Sequence, residues 1–267
     1  MKTFIEVIKE HILYRKQIWE MSKKDLHKIY KGTALGALWL VGTPMIRLFV
    51  YWFAFSIGLK SGRPVEGYPY FLWLMAGMVP WFYASAMIRG GVSSLRQYRH
   101  LVTKIKFPVS TIPTFINISQ LCIHALLVGV MILLFMCFGF MPDKYYLQIP
   151  LYMAMAFLFF NCWGLFSGLI GAISKDFVKL VKSFTMAFLW LSGIFYSVDE
   201  MKGMLKQVML FNPITLIVNG FRDCFIYKEW IWENPIELRN FIIVTFIMLI
   251  LGIWAYKKLN KDIHDVL

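Results

Sequence analysis

Six apolar runs, near residues 33–59, 68–88, 109–140, 147–173, 183–198 and 239–256, set the terms on which this 267-residue chain can fold. About 20 apolar residues suffice to cross the roughly 30 Å hydrocarbon core of a bilayer as a helix. Composition points the same way: 59% of the chain is hydrophobic, only 16% is charged, and the mean hydropathy is +0.61. An average soluble chain carries about 25% charged residues, and a protein of this size could not hide so much apolar surface from water. The runs therefore predict an all-α integral membrane protein with six transmembrane helices. The first thirty residues lack an unbroken apolar stretch followed by a small-residue cleavage site, so no cleaved signal peptide is expected. No CxxC spacing occurs, and Cys122, Cys137 and Cys162 lie inside apolar runs, which predicts buried hydrophobes and no metal site.

Six passes put both termini on one side, and loop charge chooses which. The amino-terminal segment holds eight Lys and Arg, the 89–106 stretch five, the 174–182 loop three and the tail three, nineteen in all; the opposite loops hold eight, and Arg47 lies inside a span. Seven acids fall on the first side and eight on the second, for net charges of +12 and 0. Because cytoplasmic loops are enriched in Lys and Arg, both termini are expected in the cytoplasm, with the protein in the plasma membrane. The same bias, with an anionic inner leaflet, explains the basic balance without nucleic acid.

Two segments depart from a plain bundle. Residues 1–31 read as an amphipathic interface helix: Ile5, Ile8, Ile12, Trp19, Leu26 and Ile29 share one face, edged by Lys2, Lys9, Lys16 and Lys23 at seven-residue intervals. Such a helix suits a membrane surface, a cytoplasmic partner, or both. Ser22 and Asp25 are placed to cap a second helical piece. The fifth run, 183–198, would reach only about 24 Å as a helix. It precedes a mixed segment, 201–226, broken by Asn212-Pro213, which is too apolar for a solvated loop. A re-entrant helical segment between spans five and six, or an amphipathic helix lying flat, is the expectation. The organisation is thus an interface helix over 1–31, a transmembrane domain over 32–257 and a tail over 258–267.

Within the spans, Arg47 costs about 2.5–3.5 kcal/mol even on the lenient insertion scale. It either lines a conduit and meets substrate phosphates, or satisfies carbonyls or a partner between helices. Asn117, Gln120 and His124 share one face of the third span and suit interhelical hydrogen bonds. No HExxH, no paired intramembrane carboxylates and no Ser/His/Asp set occur, so a membrane enzyme has no catalytic residues to work with. An ion-coupled secondary transporter is the remaining rival, but it would need intramembrane carboxylates or repeat symmetry.

The stretches VYWFAFSIGLKSGRPVEGYPYFLWLMAGMVPWF, KIKFPVSTIPTF, FNPITLIVNGFRDCFIYKEW and KDIHDVL, in this order, resemble the permease subunits of ABC-2 type polysaccharide exporters, most closely the teichoic acid translocation permeases of the TagG/TarG type. The resemblance implies a half-transporter that pairs with itself and with two copies of a separate ATPase, which binds ATP and Mg. This chain has no GxxxxGK[ST] phosphate loop of its own. The resemblance implies export of lipid-linked wall teichoic acid, with O-antigen or capsule as the alternative. It places ATPase coupling on the basic turn Arg96–Phe107, with Arg96, Arg99, Lys104, Lys106 and Phe107, and on the interface helix at Trp19. The loop Ser174–Lys182 is a third contact. It also implies an aromatic-lined conduit, for which Trp39, Trp52, Trp73 and Trp190 join Arg47 as candidates.

Overall fold

The computed structural model describes residues 2–60, 62–105, 107–198, 200–260 and 263. Among these residues the fold is helical, with a single β-bridge, Val65 to Tyr68, in the connection after the first span. The helices are α1 (Lys2–Leu13), α2 (Arg15–Tyr30), α3 (Trp39–Phe53, continued as a π-helical turn Ala54–Gly58), α4 (Tyr70–Gln97), α5 (Arg99–Ile105), α6 (Thr111–Cys137), α7 (Ile149–Ile173), α8 (Lys175–Trp190), α9 (Gly203–Leu210), α10 (Pro213–Arg222, continued as a π-helical turn Asp223–Tyr227) and α11 (Pro235–Leu259). Tyr256, in the last turn of α11, donates a 2.9 Å hydrogen bond to Glu10 of α1. The two ends of the chain therefore share one end of the bundle, here the near end.

Among the described residues, five stretches are long and apolar enough to cross a membrane: Gly36–Gly58, Tyr70–Ile105, Thr111–Cys137, Lys144–Ile173 and Pro235–Leu259. The expected sixth is shorter and starts elsewhere. α8 begins at Lys175, where the Ser174 hydroxyl accepts a 3.2 Å bond from the Phe177 amide. It stops at Trp190 because the chain turns at Gly193, whose φ of +65° a side chain would oppose. The expected inner loop Ser174–Lys182 thus shrinks to one capping residue, and three basic residues move onto a helix. The basic turn Arg96–Phe107 is also mostly helical: α4 runs on past Gly90-Gly91 to Gln97, bends at Tyr98 and continues as α5.

Neither glycine breaks the helix, and Gly91 serves packing, since a Cβ there would crowd the Gly164 Cα at 3.2 Å. α4 is the central element, buried on nearly all sides and packed chiefly on α7 and α6. On α7, Gly164, Gly168 and Gly171 face Gly91, Ser94 and Val92 of α4; the Gly171 position is so close to the Val92 carbonyl that a methyl group could not enter. Small residues in a row let two membrane helices approach to backbone contact, where dispersion replaces the missing hydrophobic drive. Arg96 fastens the same pair from the near end. Its guanidinium donates 2.6 Å bonds to the carbonyls of Gly171 and Ala172, which the end of α7 leaves without helical partners.

The amino-terminal helices dock by a mixed face, in which Val7, Tyr14, Ile18 and Met21 pack on the core beside buried polar groups, and not by the apolar face expected. Ser22 and Asp25 are not caps, because α2 runs unbroken through both; Ser22 bonds back to the Ile18 carbonyl, and the buried Asp25 carboxylate accepts from the hydroxyls of Tyr98 and Ser119. In α1, Glu10 accepts from Ser110 and Tyr256, and His11 Nε2 lies 2.8 Å from the Thr114 hydroxyl. Ile5, Ile8, Ile12, Trp19 and Ile29 stay exposed. An apolar face left uncovered beside membrane-spanning helices is the arrangement of a helix lying in the interface plane.

At the far end, the break after α8 is covered by the segment that follows it. Gly77, seven residues and about 10 Å down α4, packs against Arg222 and the Ile194 carbonyl, so the break lies below the end of the bundle. Arg222 is fully buried and donates to Gly193 O at 2.7 Å and Ile194 O at 2.6 Å, with its guanidinium 3.6 Å above the Trp73 ring. Asn212 caps α10 by accepting from the Ile214 amide and also donates to Leu191 O at 3.0 Å. Irregular backbone at membrane depth survives only where protein satisfies it, and these two side chains do so. α10 is buried against α4, whereas α9 lies on the surface with Met204 and Val208 exposed.

Candidate functional site

The face of α3 is almost wholly uncovered, and between it, α4 and α8 opens a cavity of about 530 Å³. Three cations line it: Arg47 of α3, Arg89 of α4 and Lys182 of α8. No acidic residue does, and among the described residues none of the three forms an ion pair. Arg89 Nε donates a 3.1 Å bond to its own helix at Ser85 O, and the Arg47 and Arg89 charges act on one another across the gap. The same two arginines line a smaller neighbouring cavity of about 260 Å³ with Trp39, Gln120 and His124. Like charges that face each other in a low-dielectric setting raise the local free energy until an anion arrives.

Arg89 and Lys182 were hidden in the sequence as members of basic inner loops. The signal that could have found Arg89 is the absence of any proline between Arg89 and Ile105, which lets the helix that starts at Tyr70 continue. Lys182 follows from Ser174, whose capping position starts α8 early and carries the lysine two turns inward.

Aromatic rings continue the wall toward the far end. Phe195 stands at the centre, 4.9 Å from Phe55 and from Trp190 and 5.0 Å from Tyr51 between ring centroids. Trp190 is about half exposed. Trp39 is partly exposed at the smaller cavity, and Trp52 is half-buried, edge-on to Phe71 at 6.1 Å. Trp73 is different. Its ring lies between Arg222 and Tyr70 and its indole N–H donates to the Tyr227 hydroxyl at 2.9 Å, so it holds the far-end break together and offers no face to a passing sugar. Asn117 accepts from Tyr83 and donates to Phe157 O at 2.9 Å, an interhelical tie; His124 stacks on Tyr83.

At the near end, Arg99 and Lys104 are exposed, and Phe107 is buried edge-on against Tyr14 at 5.7 Å. An open groove of about 660 Å³ between Glu10, Thr103, Phe107 and Asn260 lies beside them. Trp19 is about half exposed on the apolar face of α2. Lys106 and most of the tail motif KDIHDVL lie outside the described residues. At the far end a cavity of about 260 Å³ is bordered by Glu66, Glu200, Asp223, Glu229 and Glu237. Among the described residues no group of His, Cys, Asp and Glu is arranged to hold a metal ion.

The chain matches the family model described as ABC-2 type transporter over residues 16–226. It is similar to an O-antigen export system permease protein RfbA of Myxococcus xanthus, 23% identical over 83% of this chain and 84% of that one. A protein of the same description from Klebsiella pneumoniae is 22% identical over 92% and 93% of the two chains. The inner membrane transport permease YadH of Escherichia coli strain K12 is 23% identical over 87% and 90%. With the model spanning from the second amphipathic helix to the far-end turn after α10, this multi-pass membrane protein belongs to the ABC-2 type transporter family.

Proposed function

We propose that this chain is the transmembrane permease subunit of an ATP-driven exporter that moves a lipid-linked polysaccharide of the O-antigen type to the outer face of the plasma membrane. The observation that carries the reading is the uncovered seam of α3, α4 and α8, with cations at one end and aromatic rings at the other. Aromatic faces stack on sugars without demanding one hydrogen-bond pattern. A second copy of the chain closes the seam into a conduit, and a separate ATP-binding subunit, with its ATP and Mg, docks at the near end on Arg99, Lys104 and the adjoining groove. The far-end hairpin of α9 and α10 is re-entrant, and the termini are cytoplasmic. Cysteines placed at Lys9 and Arg63 test the orientation: the first should label only after permeabilisation and the second in intact cells.

The wall teichoic acid reading, drawn from motif resemblance, gives way to O-antigen here on two counts. The relatives whose names specify a cargo are O-antigen permeases. Moreover, the far-end cavity is bordered by five carboxylates against one cation, Arg222, a balance that disfavours a polymer with a phosphate in every repeat at that end. Reconstitution with the ATP-binding subunit, supplied with a neutral lipid-linked glycan and with a lipid-linked teichoic acid, should show the neutral polymer exported at least about tenfold faster. Preference for the polyanion would reverse the assignment.

A further inference from the structure

A row of three aromatic rings stands at the far end, outside the seam of α3, α4 and α8. Trp230 and Trp232, in the turn before α11, stack at 4.7 Å with their planes 8° apart, and Tyr145, between α6 and α7, meets Trp230 at 5.2 Å. Trp232 ends the row: it is 63% exposed, and among the described residues Trp230 is its one ring neighbour. The turn is tied down at four points. Buried Gln148 donates to Glu229 O at 2.9 Å and accepts from the Ile231 amide at 2.8 Å, Glu233 accepts from the Trp230 amide at 2.9 Å, and Lys228 pairs with Asp143 at 2.7 Å. Rings held this way meet a ligand without the ordering cost that a mobile loop would pay.

Exposed indoles suit either a lipid headgroup layer or a sugar, and position speaks against the first. The charge-free stretch of α11 runs from residue 241 to residue 256. A span of about 20 residues centred on it reaches out to Arg239, so Pro235 stands about 6 Å beyond the hydrocarbon, at the outer limit of the headgroup layer. The turn with Trp232 comes before Pro235. Its surroundings favour a sugar. Glu229 and Asn234 bracket the turn and line the far-end cavity of about 260 Å³, whose carboxylates accept from hydroxyls and repel phosphate. A pyranose packs its C–H face on an indole while its hydroxyls donate to a carboxylate alongside. Ser197 lines the same cavity, two residues beyond Phe195 of the aromatic wall, so the cavity continues the path of the seam. We propose that Trp232, with Trp230 and Tyr145 behind it and Glu229 beside it, forms a sugar site outside the conduit that takes a neutral, hydroxyl-rich segment of the glycan as it emerges. The inference rests on the export reading for the source of that glycan, and it gives the outer face its own selection for neutral over phosphate-bearing polymer.

The test is a binding measurement on the purified full chain in phosphatidylcholine nanodiscs, without the ATP-binding subunit, so that it does not depend on export. Maltohexaose, mannohexaose and galactohexaose serve as neutral probes and a glycerol phosphate hexamer as the anionic one, each titrated by saturation-transfer difference NMR. Wild type should bind at least one neutral hexasaccharide about tenfold or more tighter than the glycerol phosphate hexamer. Trp232→Ala should weaken that binding about fivefold or more, and Trp232→Phe should retain part of it. Trp254→Ala, which removes an exposed ring at the near end of α11, should leave it unchanged. Because Trp232 is exposed, its variants should match wild type in yield. A second measurement locates the ring: the fluorescence missing from Trp232→Phe should be quenched by acrylamide and not by brominated phosphatidylcholine. Binding of none of the three hexasaccharides overturns the proposal, as does binding that Trp232→Ala leaves unchanged or tighter binding of the glycerol phosphate hexamer. Quenching of Trp232 by the brominated lipid makes it a membrane anchor and likewise overturns the site. Sugar bound at Trp232 in a chain that exports no polysaccharide would count against the export reading alone, whereas export of a neutral polysaccharide with no sugar bound at Trp232 would count against the site alone.

Discussion

Arg222→Leu is expected to cost the protein most of its folded yield in detergent and to lower its thermal midpoint by roughly 10 °C or more. The substitution removes both donors from Gly193 O and Ile194 O and strips the cation from the Trp73 face. Each buried carbonyl left unpaired costs about 1–3 kcal/mol, and a desolvated cation–π contact adds about 2. These carbonyls lie at the break after α8, where no helical partner and no bulk water can take over. Arg222→Lys keeps the charge but loses the fork that reaches two carbonyls at once, so it should fall between wild type and leucine. Fluorescence-detected size exclusion after a heating series measures the order directly. Unchanged melting of Arg222→Leu would show that the break is held by other contacts.

Gly171→Val should be the second most damaging single change among the positions discussed. Its side chain would enter the space of the Val92 carbonyl, and because that group is backbone, no rotamer change relieves the overlap. Overpacking of this kind costs about 1–3 kcal/mol in soluble cores where side chains can yield, and more is expected where helices must separate. Separation also pulls the Gly171 and Ala172 carbonyls away from Arg96. Gly129 of α6 supplies the control, since a Cβ there meets nothing within 4 Å. Gly129→Ala should be neutral or stabilise slightly, because alanine is about 1 kcal/mol better than glycine inside a helix. Comparing the two melting curves separates a close-approach requirement from a general cost of losing a glycine. Equal curves for Gly171→Val and wild type would refute the backbone-contact account.

What the sequence by itself determined is whatever hydrophobicity and covalent chemistry decide locally. The five long apolar runs became membrane-length helices, since a bilayer leaves such segments no other way to satisfy their backbone. The amphipathic character of residues 1–31 held because periodicity alone creates a face, and the shortness of the fifth span was legible from its run of about 24 Å as a helix, although its bounds were not, since the helix runs from Lys175 to Trp190. Tertiary structure decided which charges lie together and which polar groups are used up inside. Arg89 counted as a loop residue, yet α4 passes through the Gly90-Gly91 pair without ending, and Gly91 serves contact with α7. Trp73 and Arg222 lie 149 positions apart and resemble a conduit ring and an outer loop charge until they are found stacked. Asp25 likewise read as a cap, and became a buried acceptor only when Tyr98 and Ser119 arrived from two other helices. In each case the reason is the same: a period of 3.6 residues fixes what faces which side of one helix, but the energy of an arginine, a tryptophan or a carboxylate at depth is set by partners that only packing supplies.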